Sequence, residues 1–121
     1  MSLHLELGSA IETAFGDDLD SPVEQKQDAM IVRLKNGVTL EVRYAAAGAY
    51  SLRWVYGDAE SGIDTAPLHP GLATFPHHLH DAGGRIVADP ITRPDASPED
   101  NLHRLIHALI ADPMLGARDI A

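Results

Sequence analysis

The chain contains no cysteine. That absence excludes a disulfide framework, a thiolate metal site and a thiol nucleophile. No apolar run approaches the ~18 residues that a membrane helix requires. The opening residues Met1-Ser2-Leu3-His4 carry neither a basic region nor an apolar stretch. The sequence therefore predicts no membrane span, no signal peptide and a cytoplasmic location. Basic charge is scarce: nine Lys and Arg stand against 18 Asp and Glu, only Lys26 and Lys35 are lysines, and the net charge is −9. Such a field repels phosphate backbones, so RNA is disfavoured as a partner unless Arg33, Arg43, Arg53 and Arg85 cluster. A glycine-rich phosphate loop, βαβ alternation, a GxSxG nucleophile turn and internal repeats are missing as well. Nucleotide-fold and serine-hydrolase readings lose their support with them.

What remains is a chain of 121 residues, 45% hydrophobic, enough for one core and one domain over residues 1–121. Leu3, Leu7, Ile11, Ala14 and Phe15 recur at helical spacing and predict a helix over 3–15. Asp17 to Gln27 is polar and reads as a loop. Ala29–Leu34 and Val38–Tyr44 flank Lys35-Asn36-Gly37, and Asn-Gly between two β-rich runs is a strong hairpin signal because both residues tolerate positive φ. Tyr50, Leu52, Trp54 and Tyr56 alternate with Ser51, Arg53 and Val55, so one face of that strand is apolar and the other wet. Gly57 to Gly62 reads as a turn, and Ile63 opens a short fourth strand. Thr65 to Gly84 has no periodicity and reads as a long loop, of the kind that tends to be functional or disordered; Leu72, Phe75 and Leu79 are suited to anchor it to a core. Arg85–Ala88 reads as a fifth strand. Ser97 as N-cap, Pro98 in the first turn, and the stripe Leu102, Leu105, Ile106, Leu109 and Ile110 predict a helix over 98–111. The fold class is α+β: a four- to five-stranded antiparallel meander with an N-terminal and a C-terminal helix packed on one face.

Chemistry concentrates in the long loop. Four of the seven histidines, His69, His77, His78 and His80, lie in twelve residues, with Asp64 before them and Asp81 after. Imidazole and carboxylate bind zinc and other divalent ions, and two or three ligands suffice when water completes the shell. In extended chain, His78 and His80 point to one side and His77 to the other. His78, His80 and Asp64 are therefore the candidate metal ligands. Imidazole also titrates near neutrality, so His77, His78, His80 and Asp64 are the candidate groups for proton transfer. Solvated or hydrogen-bonded loop histidines are the plainer alternative. His103 and His107 stand four apart on the last helix, a spacing that can grip one ion, but it is more often filled by amphipathic side chains. Arg43 and Arg53, on the polar faces of neighbouring strands, are suited to pair with Glu41 or with a phosphate.

The run Asp64-Thr65-Ala66-Pro67-Leu68-His69-Pro70, the run Thr74-Phe75-Pro76-His77-His78-Leu79-His80, and Tyr50-Ser51 on the preceding strand together resemble the TumE family of toxin–antitoxin system proteins. The resemblance spans about residues 30–110 and departs from the family pattern at Thr65, Leu68 and Leu79. It implies a growth-inhibiting protein with a cognate antitoxin as partner, and no particular reaction; the first reading adds that the histidine segment acts on, or binds, RNA or a translation component. The alternative is a non-catalytic protein that binds a metal or a partner through the same segment. A small meander with an open edge strand also predicts a homodimer.

Overall fold

Ser2 opens the first helix by accepting a hydrogen bond on its hydroxyl from the Leu5 N–H, the usual way a serine satisfies an orphan donor of the first turn. A computed structural model describes residues 2–93 and 95–116. Helix α1 spans Leu3–Phe15 and ends in a single 3-10 turn, Gly16–Asp18. Strands follow at Glu24–Gln25 (β1), Met30–Arg33 (β2), Thr39–Ala46 (β3), Ala49–Tyr56 (β4), Ala59–Asp64 (β5), His78–His80 (β6) and Ile86–Ala88 (β7), and helix α2 spans Pro98–Ala111. All strands pair antiparallel with their sequence neighbours, giving one sheet in the order β1 to β7. Both helices match the expected bounds, and α2 is capped as its sequence indicates, with the Ser97 hydroxyl accepting from Asp100 N–H.

The alternating pattern of β3 and β4 sorts the sheet into two faces. Val42 pairs with Leu52 and Leu40 with Trp54. These side chains join Met30, Val32, Ile63 and Leu79 in a core that Leu7, Ile11 and Phe15 of α1 and Leu102, Leu105, Ile106 and Leu109 of α2 complete. Each such side chain contributes roughly 1.5–3 kcal/mol by leaving water. Gly8 sits where α1 crosses β1: a Cβ there would lie 2.7 Å from the Gln25 amide nitrogen. The opposite face carries Ile31, Thr39, Glu41, Arg43, Ser51, Arg53, Val55 and Glu60, and among the described residues no helix covers it.

The sheet has seven strands, more than the four or five expected. The two extra strands, β1 and β6, hold two and three residues, too few for a period of two to register in sequence. β6 lies inside the segment read as a loop, and β1 inside Asp17–Gln27. β5 starts at Ala59 rather than Ile63, so Gly62 belongs to a strand and not to a turn. Tyr56, expected in the core, is exposed at the strand end. The first hairpin also differs in kind. Gly37 alone adopts positive φ, at 101°, and Gly37 N–H bonds Leu34 O at 3.1 Å while Leu34 N–H bonds Val38 O at 2.9 Å. This is a three-residue loop closed by a glycine in the left-handed region. Among the described residues no helix is long and apolar enough to cross a membrane.

Candidate functional site

Pairing of β5 with β6 sets the site. Asp64 faces His78 and Gly62 faces His80 across the ladder, while Ile63 faces Leu79. Alternation sends Ile63 and Leu79 into the core and puts Asp64, His78 and His80 on the open face. Leu79 is buried among apolar side chains. Asp64 Oδ1 lies 3.2 Å from His78 Nε2, and Asp64 Oδ2 lies 3.5 Å from His80 Nε2. The two Nε2 atoms are 3.1 Å apart. His78 is 1% exposed, whereas the His80 side chain is 46% exposed and Asp64 29%. Donor atoms of these three residues all lie within 4.8 Å of one another.

The surrounding chain holds the trio in place. His78 Nδ1 donates to the Pro76 carbonyl at 3.2 Å. Asp64 Oδ1 accepts from Ala66 N–H at 3.0 Å, an Asx turn that ends the strand. The His69 ring meets the His78 ring edge-on at 4.9 Å. Asp81, the other flanking carboxylate, is engaged elsewhere. It accepts from Gly83 N–H, Arg85 N–H and the Arg85 guanidinium, each at 2.9–3.0 Å, and so closes the β6–β7 turn. Burial acts to raise its pKa, but the Arg85 and Gly83 donors and the Arg85 charge outweigh it and hold the carboxyl below its ordinary value.

His77 turns away from the trio. Its Nδ1 donates to Asp89 Oδ2 at 2.9 Å. That oxygen also accepts from the Thr92 hydroxyl, and Asp89 Oδ1 accepts from the N–H groups of Ile91 and Thr92. Tyr50 Oη stands 2.6 Å from the same Thr92 hydroxyl. Burial pushes the Tyr50 phenol up, and nearby Asp89 adds to the rise while the Thr92 bond opposes it. His77, Asp89 and Thr92 are all buried. This closed network pins the β7–α2 connection to β4 and β6. His77 is thus placed as a brace, apart from Asp64, His78 and His80. Asp89 and Thr92 were not singled out in the sequence, where they sit in a proline-bearing connection with no pattern.

The arginines sort clearly on the open face. Arg43 pairs with Glu41 at 3.1 Å and Arg33 with Glu24 at 2.9 Å, while Arg85 is held by Asp81 in the turn. Among the described residues Arg53 has no ion pair. It faces Gly62 across β4–β5, and Gly62 in turn faces His80. The row Arg53–Gly62–His80 thus sets the backbones of Arg53 and His80 two strand spacings, about 9.5 Å, apart, with no side chain at Gly62 between them. These residues line a shallow hollow of about 700 Å³ that also takes in Ser51, Glu60 and Asp64. His103 and His107, by contrast, are exposed on α2, stacked with centroids 6.5 Å apart, and among the described residues no carboxylate joins them into a ligand group.

The family model described as Toxin TumE matches residues 9–113. The chain belongs to the TumE toxin family. No curated protein and no solved structure matches it. The TumE match runs from α1 through α2, so it takes in the whole sheet, the open-face trio and the His77 brace.

Proposed function

We propose that this TumE-family chain is a growth-inhibiting toxin that acts on RNA through the open face of its sheet, and that a cognate antitoxin restrains it. The observation that carries the RNA reading is the row Arg53–Gly62–His80, with Asp64 and His78 beside it. A free guanidinium recognises a phosphodiester through paired N–H donors. Gly62 leaves the sheet surface flat between the two, so a backbone phosphate on Arg53 brings the adjoining sugar toward His80. The 2′-oxygen of that sugar attacks the adjoining phosphorus while a base held at the Asp64–His78–His80 cluster takes its proton. The P–O5′ bond breaks, the leaving 5′ oxygen takes a proton from water, a 2′,3′-cyclic phosphate end remains, and Arg53 balances the charge that builds on the phosphate. The net charge of −9 makes such binding local and strongly salt-dependent. Glu41 already occupies Arg43, which leaves Arg53 as the phosphate contact of the hollow.

The test is an incubation of the purified chain with a fluorescently labelled single-stranded oligoribonucleotide, read on a denaturing gel beside its H80A and R53A variants. The proposal expects shortened products from the parent chain, none from H80A, and products from R53A only at higher RNA concentration. Cleavage by H80A at the parent rate contradicts it, as does intact RNA with a cognate antitoxin still neutralising the protein in cells.

A further inference from the structure

We propose that Asp64, His78 and His80 form a binding site for one divalent transition-metal ion, zinc by preference. The function of the ion rests on the toxin reading above; the site itself rests on the convergence of three ligand groups on one point. The Pro76 carbonyl can only accept, so the hydrogen bond at 3.2 Å fixes the proton of His78 on Nδ1. His78 Nε2 then presents a lone pair, 3.1 Å from His80 Nε2 and 3.2 Å from Asp64 Oδ1. Asp64 Oδ2 lies 3.5 Å from His80 Nε2. Two imidazole nitrogens and a carboxylate thus converge within 4.8 Å of one another, and one divalent ion at the centre engages all three.

The spacing fits such an ion. Zinc bonds of ~2.0–2.2 Å in a tetrahedron separate the ligand atoms by about 3.3–3.5 Å. The separations here are 3.1, 3.2 and 3.5 Å. The outer contacts are those a metal ligand requires. Nδ1–H of His78 rests on a carbonyl, which orients the ring and raises its basicity, and Asp64 is steadied by Ala66 N–H. Two imidazoles and one carboxylate favour borderline ions over calcium or magnesium. Three protein ligands leave a fourth position open, and the exposed sides of His80 and Asp64 aim it at the hollow that holds Arg53. An open position of that kind lowers the pKa of a bound water toward neutrality, which supplies the base that the toxin reading needs.

Calorimetric titration of the full chain with zinc chloride, without RNA, tests the site. His80 is half-exposed, so H80A keeps its fold, which circular dichroism verifies. An H103A/H107A double variant removes the other histidine pair capable of binding. The expected result is one zinc per chain at micromolar affinity or tighter in the parent and in H103A/H107A, weakened at least 30-fold in H80A and in D64N. The proposal is overturned by no binding in the parent, or by binding that survives in H80A and vanishes in H103A/H107A. Zinc bound at the trio by a chain that leaves RNA intact removes the RNA reading and keeps the metal site. RNA cut equally well after chelation, with no zinc bound, does the reverse.

Discussion

Asn36 joins the first hairpin turn to the far end of α2. Its Nδ2 donates to the Leu109 carbonyl at 3.0 Å, and its Oδ1 accepts from Val38 N–H at 3.1 Å. Leu109 lies in the last turn of α2, where carbonyls have no partner within the helix. Leu109 and Val38 are both buried, although Asn36 itself is exposed. Replacing Asn36 by Ala strands one acceptor and one donor, each worth about 1–3 kcal/mol when fully enclosed. Exposure of Asn36 lets water recover part of that, so the expected loss is about 2 kcal/mol. Asn36→Asp separates the two bonds. It keeps the acceptor for Val38 and remains a good turn residue, yet it sets a carboxylate against the carbonyl end of a helix. It should therefore destabilise at least as much as Ala. With a urea m-value of ~1–3 kcal/mol per molar, the Ala variant moves the midpoint down by about 1 M. Equilibrium urea unfolding followed by circular dichroism measures it. A shift under ~0.3 M in the Ala variant, or an Asp variant as stable as the parent, would refute the reasoning that the turn and α2 are clamped through this side chain.

Other expectations follow from burial and bonding. Ile106 is fully buried between α2 and the sheet, so Ile106→Ala should lose about 2–5 kcal/mol in the same assay; a loss below ~0.5 kcal/mol would place α2 elsewhere. Asp89→Ala removes the acceptor for His77, Thr92 and Ile91 donors and should lose about 3 kcal/mol or more, against under ~1 kcal/mol for His80→Ala; equal losses would deny the division between brace and site. Asp81 has a folded pKa below its ordinary 3.8. Its stabilisation is full above that value and is lost as pH falls through the lower folded one. Acid titration of unfolding should therefore show a shallower low-pH loss in Asp81→Asn than in the parent, and parallel curves would show that the turn does not depend on the charge.

Both helices were legible because long periodic segments with caps leave a strong trace: Ser97, Pro98 and the Leu102–Leu109 stripe determine α2 without help from the rest of the chain. The two faces of β3 and β4 were legible from the alternation around Leu52 and Trp54. β6 was not, since His78-Leu79-His80 offers one apolar residue between two polar ones and is a strand only because β5 supplies its partner. The pairing of Asp64 with His78 and of Gly62 with His80 depends on β5 beginning at Ala59, which a polar Glu60-Ser61-Gly62 run conceals. The side-to-side split of His77 from His78 and His80 follows from extended geometry and was readable. Its partner Asp89, twelve residues on, was not, because the contact comes from how β7 leads into the following loop. Arg53 stands free only because Glu41 is taken by Arg43, a choice between two arginines that spacing does not decide.

Growth of bacteria during induction of the chain, compared with induction of H80A at the same soluble level, tests the central claim most directly. The account predicts arrest by the parent and normal growth with H80A, whose half-exposed side chain is not needed for the fold. Arrest by H80A as deep as that of the parent would contradict the assignment of the toxin's activity to Asp64, His78 and His80.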